Sequence, residues 1–235
     1  MESIDIEGNL KAVAKQIAVT AESCGRDSSE VQLIAVTKTF PAETILEATA
    51  AGQLRLGENR IQEAEPKINA LRGIPGIEWH LVGHLQSNKV RRAAELFDVV
   101  HSLDGAKLAV RLSEACSIAG RVLRVLLQVD LGHEATKYGA DPNQVRDIIA
   151  TASGLGGIRL DGLMTIPPFF DEPEQTRPYF SALRQLRDTL ESEQAGCLGQ
   201  GHLSMGMSHD FEVAIQEGAT MVRVGTAIFG VRSHV

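Results

Sequence analysis

Two kinds of hydrophobic block alternate along this chain. Short continuous apolar runs, several rich in β-branched residues, recur at 33–36, 54–56, 79–82, 97–100, 122–131, 158–166, 202–207 and 221–229. Such runs predict strands buried on both faces, as in parallel sheets. Between them, apolar residues fall at helical spacing over 41–51, 60–70, 87–96, 104–119, 142–153, 173–194 and 209–217, with one more such segment, 9–24, ahead of the first strand.

Start and stop signals agree with this division. Leu10, Val13, Ile17 and Cys24 mark one face of the leading helix, and Gly25 closes it. Pro41 and Pro142 stand where helices begin, a place where the missing proline N–H costs nothing. Ser208 is placed as an N-cap, and Gly52, Gly120, Gly154, Gly196 and Gly218 follow helical segments. Eight strands alternating with helices predict an α/β fold, a single (β/α)8 barrel domain over residues 1–235 with an extra N-terminal helix. No linker, low-complexity tract or block of charge divides the chain.

Composition narrows the function classes. A 43% hydrophobic fraction and a mean hydropathy of −0.04 supply enough apolar mass for one core. Net charge is −7, from 23 basic and 30 acidic residues, which argues against general affinity for nucleic acid or anionic membrane. No apolar run approaches the roughly 18 residues of a membrane helix. The acidic start, Met1 to Asn9, lacks the regions of a signal peptide. Cys24, Cys116 and Cys197 are too far apart for a paired zinc site, and their odd number suggests no disulfide framework. A cytoplasmic protein without a metal site is expected.

A barrel carries its chemistry at the C-terminal ends of its strands. The predicted strands end in Thr37-Lys38, Gly57-Glu58-Asn59, Gly83-His84, His101-Ser102, Asp130, Met164-Thr165, Met205–Ser208 and Arg223–Thr226. For Lys38 two readings stay open from position alone. One is a solvated strand-end lysine; the other is a pocketed amine, its pKa lowered enough to form a Schiff base. The Ser204–Ser208 stretch, read as opening a helix, and Gly225-Thr226 in the next turn offer backbone donors to a phosphate. The same glycines would also serve to relieve crowding in tight turns. Arg223 lies within an apolar strand, where an inward guanidinium is costly unless paired or bound to a ligand. Facing outward, it would pair with a helix carboxylate. Of His80 and His84, one reads as a hydrogen-bonded core residue. Gly154–Gly157 precedes a strand, so it is no dinucleotide fingerprint. Lys137-Tyr138-Gly139 forms a turn without an assigned duty.

Six motifs together resemble one family. Ala35–Lys38, Gly57–Asn59, Trp79–Lys89, Gly162–Thr165, Leu203–Ser208 and Arg223–Gly230 match, in order, motifs of the pyridoxal-phosphate homeostasis proteins, also called the proline synthase co-transcribed homologue family. Thr37 stands where serine is frequent, and Leu81-Val82 where Phe-Ile is frequent. The resemblance implies a barrel similar to the N-terminal domain of bacterial alanine racemase, and pyridoxal 5'-phosphate (PLP) as cofactor, covalent on Lys38. It implies Ser204, Gly225 and Thr226 at the phosphate, Arg223 facing the pyridine nitrogen, and Asn59, His84 and Met164 beside the cofactor.

The implied activity is PLP homeostasis, with no residue assigned to catalysis. An arginine at the pyridine nitrogen cannot accept its proton, which weakens the electron sink that amino-acid chemistry uses. With the chain ending at Val235 soon after the eighth strand, no second domain is expected to supply an opposing acid or base. The only tyrosines, Tyr138 and Tyr179, lie in no matched motif. The expectation is a protein that buffers PLP or delivers it to apo PLP-dependent enzymes. The alternative is a slow, racemase-like enzyme acting on amino acids.

Overall fold

The computed structural model describes residues 4–132 and 138–230. Eight strands close into a barrel in chain order: β1 (Gln32–Val36), β2 (Arg55–Glu58), β3 (Glu78–Leu81), β4 (Val99–Leu103), β5 (Leu123–Gln128), β6 (Ile158–Met164), β7 (His202–Met207) and β8 (Met221–Val224). Every neighbouring pair is parallel, and β1 closes on β8 with Ala35 opposite Val224. The helices that follow the strands are α2 (Ala42–Ala50), α3 (Ile61–Leu71), α4 (Val90–Leu96), α5 (Ala106–Ile118), α6 (Val145–Ser153), α7 (Arg177–Glu193), α8 (Phe211–Gln216) and α9 (Thr226–Phe229). The (β/α)8 architecture read from the sequence is the observed one.

The extra helix, α1 (Ile6–Ser23), has its own reasons to form and to stay. Asp5 caps it by accepting from the Gly8 N–H at 2.8 Å. Gly25 ends it in the left-handed region, with φ of 72°. Ile6, Leu10, Val13 and Ile17 are buried in the main core, where α1 packs on α8 and α9. The Asn9 amide donates to the Ile228 carbonyl, and Arg26 donates to the Ile215 carbonyl, both at 2.9 Å. No helix among the described residues is long and apolar enough to cross a membrane.

Among the expected element boundaries that move, three do so for a clear local reason. The eighth strand stops at Val224, because the chain turns at Gly225 and Thr226–Phe229 coil into α9. The N–H groups of Ile228 and Phe229 both donate to the Gly225 carbonyl at 2.9 Å. A short apolar run cannot distinguish these outcomes by periodicity. Phe97 belongs to the end of α4, its N–H donating to Ala93, so β4 starts at Val99 and holds His101 in mid-strand. Helix α8 begins at Phe211, so Ser204 lies inside β7 and opens no helix.

Most apolar mass sits between the outer faces of the strands and the helices, with Ile45, Phe97, Leu112 and Phe180 fully buried there. Each such side chain contributes about 1.5–3 kcal/mol of burial. A separate small cluster comprises Ile34, Leu126, Met164 and Met221. The strands also bury a polar set: His80, His101, Ser204 and Arg223. That polarity is unusual for a barrel filled with branched aliphatics.

Candidate functional site

A cavity of about 660 Å³ opens among the strand-end loops. Lys38, Asn59, His84, Arg223, Gly225 and Thr226 all line it, which brings residues from the ends of β1, β2, β3 and β8 around one cavity. Met164 and Ser204 do not reach it. Met164 is buried in the small apolar cluster, and the Ser204 hydroxyl is engaged beneath the cavity. Ser208 takes a lining position, as do Tyr138 and the apolar rim of Pro167, Pro168, Phe169 and Phe170. Lys137, from the same turn as Tyr138, lies outside the described residues.

Lys38 is half-buried in the turn after β1, and that turn is fastened from below. The Thr37 N–H donates to the Gly57 carbonyl at 2.8 Å, and its hydroxyl donates to Glu58 Oε1 at 2.6 Å. Lys67, on α3, donates to both the Thr37 carbonyl (2.8 Å) and Glu58 Oε1 (2.7 Å). Burial pushes the Glu58 carboxyl up, while Lys67 and Thr37 pull it down. Thr39 follows at φ of 70°, a left-handed conformation that costs a β-branched residue about 1–2 kcal/mol. Lys38 therefore sits between a strained residue and a buried ion pair. Strain of this kind persists where the surroundings over-determine it.

Arg223 faces inward. Its Nη1 donates to Ser204 Oγ at 2.7 Å and its Nη2 to the Thr165 carbonyl at 3.0 Å. Burial lowers its pKa to about 10, partly offset by Asp210, so it remains a cation at neutral pH. The cost of an inward guanidinium is thus met by polar partners on β7 and just past β6.

Backbone donors gather where β7 and β8 end. Ser208 Oγ accepts from the Gly225 N–H at 3.1 Å and from the Ala227 N–H at 3.4 Å, at the start of α9. A side chain at Gly225 would place its Cβ 3.2 Å from the Val36 carbonyl, so glycine keeps this turn close to β1. The Met207 N–H, expected among the anion donors, is taken by the Asp210 carboxylate at 2.6 Å.

On the facing wall, Gly83 lets the turns after β2 and β3 touch, since a Cβ there would lie 2.2 Å from the Asn59 carbonyl oxygen. The His84 ring stacks on Tyr138 with centroids 3.5 Å apart and planes 9° from parallel. Gln128, buried at the end of β5, donates to the Tyr138 carbonyl at 2.5 Å and holds that residue in place. Sequence reading set Tyr138 aside because it lies in no matched motif. Its position just past the fifth strand, in a fold that builds sites from such loops, was the available signal.

The chain matches the family model "Alanine racemase, N-terminal domain" over residues 8–233. It is 42% identical to the pyridoxal phosphate homeostasis protein of Aquifex aeolicus, over 96% of this chain and 97% of that one. The chain belongs to the pyridoxal phosphate homeostasis protein family. The corresponding Pseudomonas aeruginosa protein is 44% identical over 97% and 96% of the two chains. Among solved structures, PipY of Synechococcus elongatus PCC7942 with PLP bound superposes with a TM-score of 0.85 at 41% identity, covering 96% of this chain and all of that one. Membership in the family, and the alanine racemase-like barrel that goes with it, agree with the resemblance carried by the six motifs.

Proposed function

We propose that this protein binds PLP in the strand-end cavity, tethers it through Lys38 as a Schiff base, and buffers or delivers it in the cytoplasm. The observation that carries the reading is the convergence on one cavity of a lysine amine, an inward arginine and a glycine turn with backbone donors. The cavity volume lies within the range of small-ligand sites. PipY, a full-length relative, has been solved with PLP bound.

The residues present suit the group. Gly225, Thr226 and Ser208 would receive the phosphate, with Ser208 Oγ yielding the amides it now occupies. Arg223, a donor only, would leave a pyridine nitrogen unprotonated. Asn59 and His84 would flank the ring. When bound, PLP supplies an aldehyde for amine exchange and a pyridine ring able to withdraw electrons. Lys38 would hold that aldehyde through its amine, in a linkage that water reverses. That reversibility suits a carrier.

Delivery is tested by mixing the PLP-loaded protein with an apo PLP-dependent enzyme. Recovery of that enzyme's activity faster than free release allows supports delivery; recovery only at the rate of free release refutes it. A second reading, slow chemistry on amino acids, is favoured by Tyr138 on the cavity wall. Racemase or transaminase turnover lost in both Lys38→Ala and Tyr138→Phe would establish it.

A further inference from the structure

Beneath the cavity floor, a continuous polar column crosses the barrel. Arg223 Nη1 donates to Ser204 Oγ at 2.7 Å, and Ser204 Oγ lies 2.9 Å from His101 Nδ1. His101 Nε2 is 2.8 Å from His80 Nδ1. His80 Nε2 in turn is 2.7 Å from Glu78 Oε1, a close contact that is not aligned as a hydrogen bond. Glu78 opens β3 at the opposite end of the barrel from the cavity, and its Oε2 is held by Arg124 at 2.6 Å. His80, His101 and Ser204 are fully buried, and Arg223 is nearly so.

The two ends of the column fix its direction. An arginine only donates, and an ionised carboxylate only accepts. A bare nitrogen facing Glu78 at 2.7 Å would set lone pair against carboxylate, so His80 Nε2 carries the proton. Burial keeps both rings neutral, holding each below the usual histidine range. His80 Nδ1 is then an acceptor, His101 Nε2 its donor, and His101 Nδ1 the acceptor of the Ser204 hydroxyl proton. The other titratable groups acting on the column, Arg124 and Arg55 at Glu78, Asp210 at Arg223, and Asp98 and the neighbouring His202 at the histidines, are of mixed sign and reverse none of these roles.

We infer that Glu78, His80, His101 and Ser204 are positioning residues for Arg223. They form a one-way chain, donated from the guanidinium as far as His80 and ending in its close contact with Glu78, that fixes both histidines as neutral Nε2–H tautomers and holds the guanidinium at the cavity floor. The chain itself does not depend on the ligand. Only its use in orienting Arg223 toward a pyridine nitrogen rests on the function proposed above.

Nitrogen-15 NMR of the full-length, ligand-free protein at neutral pH tests this directly. His80 and His101 are each expected as a single neutral Nε2–H species. An Nδ1–H tautomer or an imidazolium at either position overturns the inference. In Glu78→Gln, both ring signals and the distant Arg223 Nε–H signal are expected to shift; an unmoved Arg223 signal in the folded variant refutes the chain. Ser204→Ala provides a milder variant, predicted to move the Arg223 signal and to abolish the single-tautomer signature of His101. Ser204→Thr should restore both, and failure of that rescue counts against the chain. Because these signals are read without PLP, failure to bind PLP would count against the function alone.

Discussion

Lys38 gains its character from residues that never touch the cavity. The Thr37 carbonyl and hydroxyl are locked by Lys67 and Glu58, so the strand end cannot drift. Removing one partner of a buried pair costs about 3–5 kcal/mol, because the other charge is left unpaired. Lys67→Met is therefore expected to destabilise the protein by that order, read as a lower urea midpoint; an unchanged midpoint would show that the pair is dispensable. Lys38→Ala should retain weakened PLP binding, because contacts to the phosphate contribute on their own. Complete loss in an equilibrium titration would contradict the phosphate site. At this scale the sequence was informative about Lys38, Asn59, His84, Arg223, Gly225 and Thr226, which share the cavity. It did not separate Ser204 from Ser208. Both lie in the same motif, and only the register of β7 decides that Ser204 sits in mid-strand, hydrogen-bonded to Arg223, and Ser208 at the cavity.

At the level of elements, the site depends on turns that let neighbouring strand ends touch. Gly83 is the sharpest case, because a Cβ there would overlap the Asn59 carbonyl. Gly83→Ala is expected to cost about 1–3 kcal/mol through forced backbone movement. It should also weaken PLP binding, since Asn59 and His84 flank the same turn. A variant with wild-type thermal midpoint and affinity would contradict this. Alternating apolar runs and glycine stops were enough to read the barrel. The boundaries needed tertiary contacts: Ala227-Ile228-Phe229 is equally apolar as strand or helix, and Gly225 decides between them. The start of α8 was two residues off for a similar reason, since the Met207 N–H bonds to the Asp210 carboxylate and the helix begins only after Asp210.

Across the whole molecule, the buried polar column predicts how stability varies with pH. His80, His101 and His202 titrate below their ordinary value of 6.5 because burial opposes their charging. Below that value the unfolded chain binds more protons than the folded one, so stability falls as pH falls. Glu78 acts with the same sign at lower pH. Burial alone would raise it, but His80 and Arg124 outweigh that and hold it at about 2, so its contribution is lost between 4.5 and about 2. Glu58, Asp104 and Asp210, raised by burial, act with the opposite sign. The buried histidines are expected to dominate, so that urea midpoints decline below about pH 6.5; a rise on acidification would show that the raised carboxyls outweigh them. The sequence marked one of His80 and His84 as a hydrogen-bonded core residue, and His80 is that one; its partner was not readable, because His80 and His101 stand 21 residues apart and only the adjacency of β3 and β4 joins them.

Reduction with borohydride after incubation with PLP, followed by peptide mapping, tests the central claim most directly. One pyridoxyl group per chain is expected, on Lys38, with no stoichiometric label in Lys38→Ala. Stoichiometric labelling of another lysine in the wild-type protein, with Lys38 unmodified, would contradict it.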